Sequence, residues 1–421
     1  MRKFLSCVVA AIVSVPVCAL AYEPVRFEEA CRRAGATMPL RQTIVVVDEG
    51  ALRAREGQSK AADKRWIRAI VELADARDGA TTSNMEAAER LTVMVAKADG
   101  SELVPLFFGC SPNLNASERT DREKSDSATD RFFGRDTGTQ VKRQVESFQT
   151  RILEALTQVN QQVDRDDKSG RPVAPDGFVR ALASSGRLVD LAYGVPRVVL
   201  LTDLRFVDAR KLTDRENARK LGFEWAAKSN LDLSRAEVHV INFGDAANQY
   251  IRDFADAMLL GSRGLLSGWR TDGLPPLLAA PVAVRHFGGT IDYAGLPAPI
   301  QIRLAFDKAG TLVNSWVEVT VNKAVATPMT GKAICQGTQV CEVKGDGKLF
   351  AQAWNTVTSN EPKFGEDLPF AGLRYFDLST TKDDAAGRIF DPKARIRLGS
   401  DQSALVDDFR FALKTTPGQV F

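Results

Sequence analysis

Two apolar runs constrain what this chain can fold into more than any other feature. Residues 43–48 read Thr-Ile-Val-Val-Val-Asp and residues 197–203 read Arg-Val-Val-Leu-Leu-Thr-Asp, so each run ends in a carboxylate. Continuous β-branched runs are typical of strands that are buried on both faces of a parallel sheet. Such sheets bind ligands at the carboxyl ends of their strands. We therefore expect Asp48 and Asp203 to lie at one edge, which is the candidate site.

Strands and helices alternate around these runs over residues 41–264. A hairpin is indicated by Asp99 and Gly100, since Asp-Gly is a preferred two-residue turn. The alternation predicts an α/β fold with a doubly wound, mostly parallel sheet. The predicted strands are 43–48, 91–98, 102–108, 197–204 and 236–243, and the predicted helices are 60–77, 141–163, 176–193, 208–228 and 246–260.

A polar segment at residues 111–138 interrupts this pattern. It is dense in Ser, Asp, Arg and Asn, so we interpret it as a long insertion or a mobile loop in the α/β domain. Two roles stay open for it, plain disorder and a contribution to binding.

The chain changes character after the α/β pattern, which we assign to a domain over residues 22–267. Residues 268–281 are rich in Gly and Pro and are interpreted as an interdomain linker. Beyond the linker, short segments with apolar residues at every second position are bounded by turn residues. This spacing predicts an all-β, antiparallel sandwich domain over residues 282–421.

The first residues have the pattern of an export signal. Arg2 and Lys3 precede an apolar stretch at 4–20, and Ala19-Leu20-Ala21 fits a cleavage site. We expect a signal peptide over residues 1–21 and a periplasmic or secreted bacterial protein. An uncleaved membrane anchor is the alternative, because the stretch is nearly long enough to span a bilayer. After cleavage we expect no integral membrane span.

Four cysteines remain once the signal peptide is removed, namely Cys31, Cys110, Cys335 and Cys341. An even number fits an oxidising compartment, and three pairings are possible. We predict a disulfide between Cys335 and Cys341, which would close a short loop between two predicted strands. We predict a second one between Cys31 and Cys110, which would hold the N-terminus of the mature chain to the α/β domain.

Charge and motifs restrict the classes of partner and reaction. The formal net charge is +3, so the chain has no strong basic field to attract nucleic acid, and no nucleic-acid partner is expected. The sequence contains no Walker A loop, G-x-S-x-G elbow, H-E-x-x-H or G-x-G-x-x-G motif. Its two histidines, His239 and His286, do not accompany a matching nucleophile.

The order of elements and the end of the first strand resemble a von Willebrand factor A domain over residues 41–264. In that family the first strand ends in Asp-x-Ser-x-Ser, a Thr comes from a later loop, and an Asp follows the fourth strand, often as Thr-Asp-Gly. Asp48 matches the first position of this motif, whereas Gly50 and Leu52 stand where the serines should be.

The later positions of the motif are also partly kept. Thr202 and Asp203 match the strand-end pair, while Leu204 replaces the usual Gly. The loop position is most similar to Asp176, a carboxylate where the family has a Thr. The resemblance thus implies a degenerate form of the family's metal-binding motif.

The resemblance implies that a divalent cation such as Mg²⁺ or Ca²⁺ would take oxygen ligands from Asp48, Asp203 and either Asp176 or Glu49. The same acids could instead be solvated residues at strand ends. Because the family's two serine hydroxyls are missing, we expect weak or no metal dependence and no other cofactor.

The family usually binds partner proteins, so the resemblance implies recognition rather than catalysis. We expect an exported, non-catalytic protein-binding module, such as an envelope assembly or adhesion component, with an unidentified protein partner. Recognition is expected at the edge around Asp48, Thr202 and Asp203, assisted by the insertion at 111–138. The alternative is an exported, metal-assisted hydrolase that uses the same acidic edge.

Overall fold

A computed structural model shows the chain over most of its length. It describes residues 22–33, 41–53, 63–74, 85–185, 188–189, 194–204, 207–243, 250–271, 273–274, 277–279, 281–293, 296–320, 324–336, 340–349, 351–354, 362–365, 372–390, 395–397, 403–405 and 408–415. The predicted signal peptide lies outside the described residues and stays a prediction.

The amino-terminal part contains a seven-stranded sheet and nine α-helices within the described residues. The strands are β1 (Val25–Phe27), β2 (Arg41–Asp48), β3 (Arg90–Ala96), β4 (Leu103–Cys110), β5 (Val195–Thr202), β6 (Glu237–Asn242) and β7 (Leu265–Arg270). The helices are α1 (Glu29–Arg33), α2 (Glu49–Leu52), α3 (Asp63–Leu73), α4 (Ala116–Glu123), α5 (Ala128–Phe132), α6 (Thr137–Lys168), α7 (Gly177–Ser184), α8 (Arg215–Ser229) and α9 (Ile251–Gly261), with a 3₁₀ turn at Ala209–Lys211.

The strands of this sheet lie in the order β1-β4-β3-β2-β5-β6-β7. All neighbours are parallel except β3 and β4, which form the predicted antiparallel hairpin. The two apolar runs, residues 43–48 in β2 and residues 197–203 at β5, are therefore adjacent and parallel. These features confirm the prediction of an α/β domain with a mostly parallel sheet.

β2 shows why the sheet is covered on both faces. Val45 and Val47 point into an apolar core with α3 and α6, whereas Ile44 and Val46 point into a second core with α7 and α9. Successive side chains of a strand point to opposite faces, so an unbroken apolar run requires a cover on each side.

The polar segment at 111–138 is largely helical, which favours the expected insertion over the alternative of a mobile loop. It contains α4, α5 and the first residues of α6. A capping box begins each short helix: Asn115 pairs with Glu118, and Ser127 pairs with Asp130. Each pair satisfies two backbone N–H groups at a helix end, which favours helix in a segment with few apolar residues.

The carboxyl-terminal part is built from strands. They are β8 (Ala283–Tyr293), β9 (Leu296–Phe306), β10 (Trp316–Thr320), β11 (Ala324–Pro328), β12 (Thr330–Gln336), β13 (Val340–Leu349), β14 (Ala351–Trp354), β15 (Pro362–Gly365), β16 (Gly372–Thr380), β17 (Asp384–Phe390), β18 (Arg395–Arg397), β19 (Ser403–Leu405) and β20 (Asp408–Thr415). Nine of them form one antiparallel sheet in the order β11-β10-β9-β8-β20-β17-β16-β13-β12, and β14-β15 and β18-β19 are separate pairs.

This sheet folds over onto itself. Its two outermost strands, β11 and β12, follow one another in the chain and are separated only by Met329. Residues from both halves of the sheet, for example Ile302 and Phe376, share one apolar core. A sheet with its faces packed around one core fits the predicted sandwich.

The two parts are in direct contact. Trp316 of β10 lies in an apolar cluster with Phe223 of α8 and Leu260 of α9. The guanidinium of Arg235 lies 4.6 Å from the centre of the Trp316 ring and donates two hydrogen bonds to Glu318, one of them of 2.7 Å. Because Arg235 lies two residues before the start of β6, this contact lies at the amino edge of the parallel sheet. The predicted linker also begins inside the sheet, since β7 extends to residue 270.

Both expected disulfides are present. Cys31–Cys110 joins α1 to the end of β4, and Cys335–Cys341 joins β12 to β13 across their hairpin. These bonds are compatible with an extracellular or periplasmic protein. Within the described part of the chain, no helix has the length and apolar character needed to cross a membrane.

Candidate functional site

The carboxyl edge of the sheet brings together three of the residues predicted for the site. Val47 pairs with Leu201, so Asp48 and Thr202 follow on adjacent strands and Asp203 comes next. The Thr202 hydroxyl donates a 2.7 Å hydrogen bond to Oδ2 of Asp48. Both acids are buried, at 4% exposure for Asp48 and 6% for Asp203.

Asp48 also begins the short helix α2. Its Oδ1 accepts a 3.1 Å hydrogen bond from the backbone N–H of Ala51, as an N-cap residue does. Both carboxylate oxygens of Asp48 therefore bind groups of the fold itself. One bond joins β2 to β5 and the other fixes the turn from β2 into α2.

Glu49 is held within the fold in the same way. One of its oxygens accepts a 2.8 Å hydrogen bond from the Tyr22 hydroxyl and lies 3.4 Å from Nζ of Lys97, and the other accepts a 2.8 Å bond from the backbone N–H of Ala98. Burial and the nearby charge of Glu49 raise the pKa of Tyr22, which therefore stays a hydrogen-bond donor. Glu49 thus links the N-terminal segment to the hairpin.

Asp176 lies in a different setting. Its side chain is 56% exposed and forms an ion pair with Arg180, 3.2 Å away on the next turn of α7. The preceding loop crosses the hairpin, and the backbone N–H of Ala174 donates to the carbonyl of Ala98 at 2.9 Å. The structure therefore places Asp176 on the outer surface of the edge, whereas Asp48 lies inside it.

Three of the four expected metal ligands are engaged by other groups of the protein. The oxygens of Asp48 and Glu49 already accept hydrogen bonds from the fold, and Asp176 is paired with an arginine. Among the described residues, no group of three or more His, Cys, Asp or Glu side chains has a geometry that could hold a metal ion. Binding of a divalent cation at this edge stays a prediction.

Gly50 shows how the edge is packed at the first missing serine position. A Cβ at this residue would lie 3.0 Å from Cγ1 of Val173 and 3.1 Å from Oδ1 of Asp48. Val173 thus fills the space beside Asp48, and a side chain at position 50 would force it to move.

A second polar cluster, which was not predicted from the sequence, lies at the opposite, amino edge of the sheet. Glu89 accepts hydrogen bonds from Arg41 at 3.1 and 3.2 Å, from Arg197 at 2.8 Å, from the hydroxyl of Thr43, and from the backbone N–H of Glu86 at 2.8 Å. The residues of this cluster are almost fully buried. We call Arg41, Thr43, Glu89 and Arg197 the amino-edge cluster.

The electrostatics of this cluster are those of a compensated buried charge. Burial alone would raise the pKa of Glu89, but the charges of Arg41 and Arg197 lower it from 4.5 to about 2. Next to it on β6, Glu237 pairs with His239 in a short contact, and both side chains are buried. His239 is thus a structural partner of Glu237. One sequence feature could have indicated the cluster: Arg41 and Arg197 lie near the starts of two strands that are buried.

The helical insertion lies at this amino edge and not at the candidate site. Cys110, where the insertion begins, is level with Arg90 and Gln42, the early residues of β3 and β2, whereas Asp48 is level with Ala96. The insertion therefore leaves the sheet at the edge opposite Asp48 and Asp203, because β4 runs antiparallel to β3. Its expected contribution to recognition stays a prediction.

Comparisons with protein-family models and with curated proteins found no match to this chain. The resemblance to von Willebrand factor A domains thus rests on the residues and on the order of elements.

Proposed function

We propose that this chain is an exported, non-catalytic protein-binding protein related to von Willebrand factor A domains, which acts in envelope assembly or adhesion. Its contact surface is the rim above Asp48, which consists of the hairpin turn at residues 97–102 and the loop at residues 171–176. We call these two segments the carboxyl rim. One observation carries this proposal: Asp48 and Glu49 are used inside the fold, so the rim and not the acids faces a partner.

The carboxyl rim has the features of a preorganised contact surface. Asp99, Ser101 and Asp176 are exposed. Arg180 donates a 2.8 Å hydrogen bond to the carbonyl of Asp99, and Gly177 lies so close to Ala98 that a Cβ there would be 2.4 Å from its carbonyl oxygen. A rim fixed by such contacts loses little conformational entropy when a partner binds.

The position of the second domain supports the same surface. The contact of Arg235 with Glu318 lies at the amino edge, and the side chain of Arg41 donates a 2.9 Å bond to the carbonyl of Leu278 there as well. The carboxyl-terminal part therefore joins the sheet at the edge opposite the carboxyl rim. A partner can approach the rim without displacing that contact.

Site-specific photocrosslinking tests the proposal. A photoreactive side chain at Ser101 of the full chain, expressed in the native cell envelope, should give a discrete protein adduct that persists in EDTA. The matched control carries the same group at Thr150, which is exposed on α6. Equal adducts from both positions, or none from Ser101, would contradict the proposal.

The rival function, a metal-assisted hydrolase, makes the opposite set of predictions. It requires heat on titration of Mg²⁺, Mn²⁺ or Ca²⁺ into the protein, and turnover of an ester or phosphate substrate that Asp203→Asn abolishes while the fold persists. Calorimetry with the three ions therefore separates the two, and we expect no binding heat for any of them.

A further inference from the structure

The amino edge carries an aromatic projection on the helical insertion. Phe132 and Phe133, at the end of α5, are 83% and 60% exposed. Their rings are in edge-to-face contact, with centroids 5.2 Å apart and planes at 89°. Two adjacent exposed phenyl rings are costly to leave in water, and exposed apolar patches on a folded surface mark interaction sites.

Local hydrogen bonds and a helix end fix the position of Phe132 and Phe133. The Ser127–Asp130 capping box begins α5, and Gly134 ends it with a φ of +62°, a conformation that glycine adopts without strain. Asp126 then accepts 2.9 Å bonds from the backbone N–H and the hydroxyl of Thr137, which anchors the segment to α6. The rings therefore sit on a defined tip.

Positively charged arginine side chains surround the two rings. Arg131 and Arg135 are exposed on either side of the pair, and the guanidinium of Arg135 lies 5.7 Å from the centre of the Phe133 ring. Arg143 of α6 reaches the same place, with Nη2 3.5 Å from where a Cβ on Gly134 would lie.

Three acids close to the rings cap helices. Asp130 binds the start of α5, and Asp126 and Asp136 bind the start of α6. The tip thus presents phenyl rings flanked by guanidinium groups, with the carboxylates engaged at helix ends. We call residues 131–135 the aromatic tip.

We propose that the aromatic tip docks the protein on the surface of an anionic lipid bilayer. Phenyl rings enter the boundary between headgroups and acyl chains, and arginines bind the lipid phosphates, so the charge and the apolar area are complementary to that surface. Both rings are mostly exposed, at 83% and 60%, so they are free to enter a soft bilayer. This role is independent of the protein-binding proposal, because the carboxyl rim lies at the opposite edge of the sheet.

Vesicle flotation of the full chain tests the proposal. Vesicles of phosphatidylcholine with phosphatidylglycerol should retain the protein, and vesicles of phosphatidylcholine alone should not. Replacing Phe132 and Phe133 together by serine should lower the partition coefficient by about tenfold or more. Replacing Arg131 and Arg135 together by glutamine should lower it by a similar factor and weaken the preference for the anionic lipid, with Arg143 accounting for what remains.

The control is Leu153→Ser, which changes an apolar side chain that is 41% exposed on α6, away from the tip. It should bind vesicles as the unaltered protein does. All variants change exposed side chains, so circular dichroism should show an unchanged fold. Equal retention on the two kinds of vesicle, or equal loss in Leu153→Ser, would overturn the proposal. So would crosslinking of the tip to a protein in place of lipid.

Discussion

Replacement of Glu89 by glutamine is the sharpest test of the electrostatics inside the sheet. The change keeps the size of the side chain but removes its charge. The guanidiniums of Arg41 and Arg197 then lose the carboxylate that both bind, and the only buried charge that remains to offset them is that of Glu237. Those groups are 3% and 0% exposed, so water cannot replace the carboxylate. Breaking a buried ion pair by neutralising one partner is strongly destabilising for this reason.

The shift in the pKa of Glu89 gives the expected loss of folding stability in Glu89→Gln. This pKa falls from 4.5 to about 2 on folding. At about 1.4 kcal/mol per pKa unit, this shift corresponds to about 3 kcal/mol of stability at neutral pH. A depressed pKa contributes fully above the unfolded value and is lost as the pH falls through the folded value. The difference between the wild-type protein and Glu89→Gln should thus be about halved by about pH 3.

Urea unfolding of the full chain, followed by circular dichroism from neutral pH down to about pH 3, measures this difference. The control is Glu154→Gln, which removes the charge of a half-exposed residue 2.8 Å from Arg151. It should cost less than about 0.5 kcal/mol, as surface ion pairs do. A loss below about 1 kcal/mol for Glu89→Gln, or a difference that does not change with pH, would refute this account of the cluster.

Three further predictions concern other parts of the fold. Thr202→Val should lower the free energy of unfolding by about 1–2 kcal/mol, measured in urea, because Asp48 loses a buried donor. Loss of the Cys31–Cys110 disulfide should cost about 4.5 kcal/mol and loss of Cys335–Cys341 about 2 kcal/mol, because the closed loops span 79 and 6 residues. In thermal unfolding, the double alanine variant of the first disulfide should therefore lower the melting temperature more than that of the second. Glu318→Gln should destabilise by about 3 kcal/mol and separate the melting of the two parts in calorimetry, since it leaves a buried guanidinium uncompensated.

Much of the α/β fold could be predicted because its signals are local. A run such as residues 43–48 needs no knowledge of distant contacts, since only a strand covered on both faces accommodates five apolar or β-branched residues in succession. The adjacency of β2 and β5, and with it the meeting of Asp48 and Thr202, followed from the same reasoning.

The amino-edge cluster could not be predicted in the same way. Glu89 lies 46 residues from Thr43 and 108 residues from Arg197 along the chain, so only the pairing of three strands shows that these polar groups share one buried space. The helical insertion was predictable in principle. The spacing Asn115 to Glu118 and Ser127 to Asp130 is that of a capping box, but the polar composition of the segment obscured it.

The contact around Trp316 also bears on how the chain acquires its structure during synthesis. The faces of α8 and α9 that carry Phe223 and Leu260 are complete long before Trp316 leaves the ribosome, yet they have no cover until β10 forms. A nascent chain that has folded its first domain therefore exposes an apolar, aggregation-prone face until the next strands have been synthesised. Such intermediates are prone to aggregate or to recruit chaperones, and shortened forms that stop within the predicted linker would carry that hazard permanently.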